Sequence, residues 1–270
     1  MKFLDLTLAT PAENLAGDEA LLDLCEEQGV EILRCWESRQ NFVVVGYGNS
    51  VAREVNVAEC RARGVPILRR CSGGGTVVQG PGCLNYNLTL RIPEDGCGPL
   101  ATVTGTNQWV MERNRAALEN LLGGRVSVQG HTDLAYGAVE SSGLRDESRT
   151  PIPALNSQPS TVNPDFLWLK FSGNAQRRRR RSLVFHGTIL HDFDLSLIDA
   201  LLLFPSQQPG YRADRGHNEF VRNIPATAEP IRARLREAWQ AREPAPALTS
   251  AQLEPLLRAH YGNDAWNFSR

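Results

Sequence analysis

The run Arg69-Arg70-Cys71-Ser72-Gly73-Gly74-Gly75-Thr76-Val77-Val78-Gln79 constrains the fold more than any other stretch of this chain. One apolar run ends in two arginines, and three glycines in a row open the next. Each glycine weakens a strand, because it loses the most backbone entropy and packs no side chain. Three in succession predict a loop between strands whose bare backbone passes close to something. The neighbouring arginines make that something anionic, and consecutive backbone N–H groups in such a turn form an anion-holding concavity. A plain glycine-rich hairpin turn is the alternative from Gly-Gly-Gly alone. The loop is not a Walker A loop, since no Gly-Lys-Ser/Thr follows. It is not a dinucleotide fingerprint, since Val77-Val78 leads into a strand and not a helix. Arg70 adjoins the loop more closely than Arg69, and strand alternation decides which of them faces inward.

Charges nearly cancel, with 29 basic and 30 acidic residues among 270. No global attraction to nucleic acid or a membrane surface follows from that balance. No apolar run approaches the roughly 18 residues of a membrane span. The start, Met1-Lys2-Phe3-Leu4-Asp5, carries acid early and has no signal-like apolar region, so the expected location is cytoplasmic. The six cysteines, Cys25, Cys35, Cys60, Cys71, Cys83 and Cys97, include no C-x-x-C pair, and no histidines complete a zinc spacing. Most of them read as small buried hydrophobes of a reducing compartment.

Thr10-Pro11-Ala12-Glu13 predicts a capped helix that ends at Gly29, and Asn56-Val57-Ala58-Glu59 a short one that ends at Gly64. Strands are expected over 30–36, 42–46, 66–70, 76–79, 84–92, 125–128, 133–136, 166–171 and 183–190. Further helices are expected over 109–122, 195–203, 230–242 and 250–261. Residues 138–164, rich in Ser, Pro, Gly and Asn, read as a flexible insertion. Short turns between most strands predict an α+β fold in one domain over 1–270, with a mixed, largely antiparallel sheet flanked by helices and a helical end over 224–270.

Three further segments carry chemistry-bearing residues. Lys170 closes the apolar strand Phe166-Leu167-Trp168-Leu169. It reads either as a lysine snorkelling to water or as a fixed cation beside developing phosphate charge. Ser172, Gly173 and Ala175 behind it again allow close backbone approach. His186, in Phe185-His186-Gly187-Thr188-Ile189-Leu190, is either a hydrogen-bonded structural histidine or a base. Asp133, in Gly130-His131-Thr132-Asp133-Leu134, either holds a magnesium-bound phosphate or caps a turn. The five arginines Arg177 to Arg181 read as a solvated hairpin tip, because no aromatic residues interleave with them. An anionic partner is the next reading.

In order along the chain, Asn14 to Leu22, Val43 to Asn49, Arg53 to Asn56, Arg69 to Gln79, Gly82 to Asn87, Gly130 to Leu134, Lys170 to Gln176, His186 to Leu190, Tyr211-Arg212 and His217 to Asn223 resemble the motifs of the lipoate–protein ligase A family. That family sits within the biotin/lipoate ligase superfamily, with a class II synthetase-like catalytic fold. The resemblance implies that lipoate and ATP, with Mg2+, give lipoyl-AMP and pyrophosphate. The lipoyl group then passes to a lysine of a carrier domain, a 2-oxoacid dehydrogenase E2 or a glycine-cleavage H-type protein. Lys170 would be the catalytic residue, against the α-phosphate and acyl oxygen. Gly73, Gly74 and Gly75 would touch the acyl-adenylate, with Arg70, Ser72, Asn85, Ser172, Gly173, His186, Gly187 and Thr188 around it. Asp133 would help hold magnesium. Val44, Val78 and Leu169 would line the slot for the dithiolane tail.

The chain departs from the family in three places. Gln79 stands where the family usually has histidine, 138–164 is longer than the usual connection, and the 47 residues after Asn223 are expected to end the catalytic domain without the C-terminal accessory domain of long ligases. A separate accessory polypeptide, transfer from preformed lipoyl-AMP, and unaided action therefore all stay open. The nearest rival is an octanoyl- or lipoyl-transferase of the same fold. Its cysteine nucleophile has no counterpart, because no cysteine follows Cys97. A biotin ligase lacks support without a Gly-Arg-Gly-Arg-type loop. A non-catalytic binder of carrier domains is disfavoured by Lys170 and Asp133, and a nucleic-acid binder by the neutral charge balance.

Overall fold

The computed structural model describes residues 1–139, 166–205 and 208–270. Strand β1 (Lys2–Asp5) leads to α1 (Pro11–Gln28), where local signals act as expected. The Thr10 hydroxyl accepts from the Glu13 N–H, the Glu13 carboxylate accepts from the Thr10 N–H, and Gly29 closes the helix at φ 71°. There follow β2 (Ile32–Trp36), β3 (Phe42–Val45), α2 (Val51–Glu54), α3 (Val57–Ala62), β4 (Ile67–Arg69), β5 (Val77–Gln79) and β6 (Cys83–Arg91). The next elements are α4 (Val103–Glu119), β7 (Val126–Gln129), β8 (Asp133–Val139), β9 (Phe166–Arg178) and β10 (Ser182–Leu190). The chain continues through α5 (Ser196–Leu201), α6 (His217–Phe220), α7 (Ala228–Ala238), β11 (Glu243–Pro244), α8 (Ser250–Leu256) and α9 (Asp264–Asn267), with Leu257–Tyr261 extending α8 in wider turns.

Eight strands form one sheet in the order β11-β1-β2-β6-β10-β9-β8-β7, and β4-β3-β5 form a second, smaller sheet. In the large sheet only the β11–β1 and β1–β2 pairs are parallel. Helices α4 and α7 bury one face of it through Val110, Met111, Leu118, Ile231 and Leu235. Toward that core point Leu33 and Cys35 of β2, Leu84, Tyr86 and Leu88 of β6, Phe185 and Ile189 of β10, and Phe171 of β9. The alternate residues of the same strands face the other way. There the small sheet, α1 and α8 close over Trp36 with Leu15, Ala16, Phe42, Val44, Leu68 and Leu253.

Four expectations are corrected. Helix α4 begins at Val103 rather than 109, because Thr102 caps it by accepting the Gly105 N–H at 3.0 Å. Strand β9 runs on to Arg178 rather than stopping at 171, because β10 pairs with it continuously from Ile189 to Leu183. Arg177 and Arg178 are therefore strand residues, and only 179–181 make the hairpin connection. Ala138 and Val139 end β8 instead of opening the insertion expected over 138–164, whose remainder lies outside the described residues. Among the described residues no helix is long and apolar enough to cross a membrane.

Candidate active site

Register brings Trp36, Asn85, Thr188, Gly173 and Asp133 into one row across β2, β6, β10, β9 and β8. Arg34, Asn87, His186 and Ala175 form the neighbouring row on the same face. Lys170 reaches this face through a β-bulge. The register shifts between Leu134, which pairs with Ser172, and Ala135, which pairs with Lys170. The extra residue lets Phe171 and Ser172 both turn to the core side, so Lys170 returns to the side of Gly173. Its side chain then lies across Gly173, where an added Cβ would sit 2.9 Å from both Cε and Nζ.

The Lys170 ammonium pairs with Asp133 Oδ1 at 2.7 Å, and Tyr211 donates its hydroxyl to Asp133 Oδ2 at 2.9 Å. Burial, and then the Asp133 charge, push the Tyr211 phenol far up, so it stays a donor. The loop before Asp133 is tied down as well: Thr132 Oγ1 donates to the Asn174 carbonyl at 2.8 Å, and Asn174 Nδ2 donates to the Thr132 carbonyl at 2.7 Å. Behind the sheet, Tyr86 donates its hydroxyl to Asn174 Oδ1, Asn114 Nδ2 donates to that hydroxyl at 2.8 Å, and Trp239 Nε1 donates to Asn114 Oδ1 at 2.8 Å. A buried polar chain thus runs from α7 to the Asp133 loop.

The glycine loop joins β4 to β5 and lies over the second row. Gly74 takes φ 85°, and a Cβ on it would be 3.4 Å from that of Ala175. At Gly73 and Gly75 a Cβ would meet nothing within 4 Å, so these two leave open space. The two arginines divide the work of holding the loop. Arg70 is buried, and its guanidinium donates to the carbonyls of Gly73 and Gly75 and to Ser72 Oγ. Burial pulls it down to about 10. Arg69 is fully buried and donates to the carbonyls of Gly46, Tyr47 and Asn49, and to that of Trp266 in α9. The Asn267 side chain accepts its backbone N–H at 2.9 Å.

Ser72 Oγ and His186 Nε2 are 2.5 Å apart, and Arg70 Nε already donates to that oxygen at 3.1 Å. The other ring nitrogen, Nδ1, lies 3.8 Å from Asp18 Oδ2. Asp18 pairs with Arg34 at 2.7 Å and accepts from Trp36 Nε1 at 3.3 Å. Arg34 donates in addition to the Asn14 side chain and carbonyl and to the Leu6 carbonyl. Farther along, Gln79 Nε2 donates to Thr188 Oγ1 at 2.9 Å.

Of the residues singled out from sequence, Lys170, Asp133, Gly173, Asn85, Thr188, His186 and Ser72 come together with the glycine loop. Others are corrected. Ser172 and Gly187 face the core side: Ser172 is buried and accepts from Asn174 Nδ2, and a Cβ on Gly187 would strike the Asn174 carboxamide. Arg70 holds the loop instead of reaching outward. Val44 joins the Trp36 cluster, whereas Val78 turns to a separate cluster with Val43, Cys83 and Leu190. Sequence reading missed Asp18, Arg34, Asn87 and Asn174. Asn14 and Asp18, one turn apart in a buried helix, were the available signal for two polar groups sharing a partner. Among the described residues no three His, Cys, Asp or Glu side chains cluster as a metal site. Asp133 offers a single carboxylate, so a magnesium ion there would take most of its ligands from substrate phosphate and water.

Residues 10–239 match the family model for the lipoyl protein ligase A/B catalytic domain. A protein of Aeropyrum pernix, bearing the provisional name lipoate-protein ligase A, is 32% identical over 240 residues, covering 88% of this chain and 74% of its own. The octanoyltransferase LipM of Brevibacillus brevis is 28% identical, covering 97% and 96%. Among solved structures, that of a bi-partite lipoate protein ligase and its E2 lipoyl domain from Thermoplasma acidophilum superposes with a TM-score of 0.75 at 20% identity, covering 99% of this chain and 95% of the other, which shows the shared fold.

Proposed function

The chain belongs to the lipoyl protein ligase A/B family, and we propose that it attaches lipoate to a lysine of a lipoyl carrier domain by way of lipoyl-AMP. The observation that carries this reading is a fixed cation in a site without a usable thiol. Lys170 is held across Gly173 by Asp133, beside a glycine loop with open space at Gly73 and Gly75. No cysteine follows Cys97, and the two near the loop, Cys71 and Cys83, are buried. Burial pushes Cys71 up to about 12 and Cys83 farther, so neither supplies the thiolate that thioester transfer needs.

In the first step the lipoate carboxylate attacks the α-phosphorus of ATP and pyrophosphate leaves. In the second, the carrier amine attacks the acyl carbon, AMP leaves, and the amine loses a proton. Negative charge grows on the α-phosphate oxygens in the first step and on the acyl oxygen and departing phosphate in the second, where Lys170 stabilises it; losing such a donor costs about 3 kcal/mol. Asp133 keeps the ammonium in place and would be the protein's contribution to a phosphate-bound magnesium ion. The Ser72–His186–Asp18 contacts hold the loop against the sheet. The cover of α1 and the small sheet keeps water from the mixed anhydride. The bi-partite Thermoplasma ligase goes with an E2 lipoyl domain, and a domain of that kind is the proposed partner here; a glycine-cleavage H-type carrier fits the same chemistry, and a separate accessory polypeptide, transfer from preformed lipoyl-AMP and unaided action remain the three routes to the adenylate. A cytoplasmic location goes with this reading.

The second reading, octanoyl transfer, is favoured by the likeness to LipM over almost the whole chain. Purified protein with lipoate, ATP and Mg2+ should modify an apo carrier domain, seen as a mass gain. Modification with lipoyl-AMP alone would leave a transfer-only enzyme. Modification only from octanoyl-carrier protein would replace the ligase reading by the second.

A further inference from the structure

A hydrogen-bond chain of fixed direction crosses from the large sheet to the small one. Asn85 Nδ2 donates to the Cys83 carbonyl at 3.3 Å, which turns Asn85 Oδ1 toward Thr188. The Thr188 hydroxyl donates to that oxygen at 2.6 Å. With its only proton committed, Thr188 Oγ1 accepts, and Gln79 Nε2 donates to it. The carboxamide of Gln79 therefore has one possible orientation. Its other end, Oε1, is buried without a hydrogen-bond partner, on a residue 7% exposed. Native proteins seldom leave a buried acceptor empty.

The partner this acceptor wants is a neutral N–H or O–H, since a carbonyl oxygen repels phosphate and carboxylate. Thr188, where the carboxamide is anchored, stands opposite Gly173, across which the Lys170 ammonium lies. The residue that anchors the acceptor thus stands about one strand spacing, ~4.8 Å, from the glycine across which the cation lies. We propose that Gln79 Oε1 receives a neutral hydroxyl next to the phosphate that Lys170 meets; on the adenylate of the proposed function, on which this inference rests, that is a ribose hydroxyl. Gln79 is then a specificity-determining residue that tells a hydroxyl from a second anion.

Calorimetric titration with AMP, 2′-deoxy-AMP and 3′-deoxy-AMP tests this directly, with thermal unfolding as the control for folding. The wild type should bind one deoxy nucleotide roughly tenfold more weakly than AMP. Gln79→Met should lose about the same factor with AMP and show no further loss with that deoxy nucleotide. Equal discrimination by the wild type and Gln79→Met, or none by the wild type, overturns the inference while leaving the adenylate reading intact. No binding of AMP to the wild type defeats both.

Discussion

Replacing Gly173 by alanine separates the placing of Lys170 from the stability of the fold. The new Cβ would lie 2.9 Å from Lys170 Cε and Nζ and 3.8 Å from Asp133 Oδ1. Ordinary contact needs about 3.5–4.0 Å, so the ammonium must move by roughly 0.6–1 Å. The displaced atoms are the far end of a flexible side chain, and no positive φ is imposed at Gly173. The move is therefore cheap, and the lost backbone freedom of the unfolded chain returns about 0.4–1 kcal/mol. Stability should stay within about 1 kcal/mol of the wild type, a Tm change of at most ~3 °C. Activity should not, because a displacement near 1 Å at a charge-stabilising group costs on the order of 100-fold. The rate of carrier-domain modification, followed by mass spectrometry at saturating donor, should fall about that much, and Lys170→Ala should lower it further. A Gly173→Ala protein with wild-type turnover would refute the claim that Lys170 acts from its place over Gly173.

Three other outcomes follow from buried groups. Arg34→Met leaves Asp18 without its cation and should cost about 3–5 kcal/mol, roughly 10 °C in Tm; an unchanged Tm would show that the pair does not anchor α1 to β2. Tyr86→Phe strips Asn174 Oδ1 of its donor and Asn114 Nδ2 of its acceptor. A loss of about 2 kcal/mol is expected, with activity falling as the Asp133 loop loosens; full stability would sink the buried chain as a support. Alkylation of the native protein at about pH 8 should label Cys97 alone, which is exposed, whereas burial holds Cys25, Cys35, Cys60, Cys71 and Cys83 as thiols. Raising the pH to about 9 should still recruit none of the buried thiols, since their raised values keep them protonated. A second cysteine labelled at a comparable rate would contradict that burial.

Local signals were legible wherever a few adjacent residues decide the structure. Thr10 with Glu13 and Pro11 opens α1, Gly29 closes it, and Gly74 needs the positive φ that its neighbours in the loop do not. The ordered motifs, from the glycine loop through Asp133 and Lys170 to His186, marked the family because its chemistry fixes which residue types must stand on those strands. Boundaries were less legible. The small residues 172–175 look like a strand end, yet β9 continues through them because β8 and β10 supply hydrogen bonds from both sides.

Sequence by itself determined which side chains this protein has for its chemistry: one lysine among small residues, one aspartate at the start of a strand, a bare glycine loop and no cysteine after Cys97. Tertiary structure decided where they point. Counting by twos from Gly173 puts Lys170 on the wrong face, and the bulge at Phe171 and Ser172 alone restores it. The same alternation removed Ser172 and Gly187 from the site and brought in Arg34 and Asn87. Folding α1 over the sheet added Asp18 behind His186, and α9 made Arg69 a fastening for the Tyr47 turn. The reason is physical: a side chain's type is a covalent property, but its direction depends on register, and register is settled only when distant strands pair.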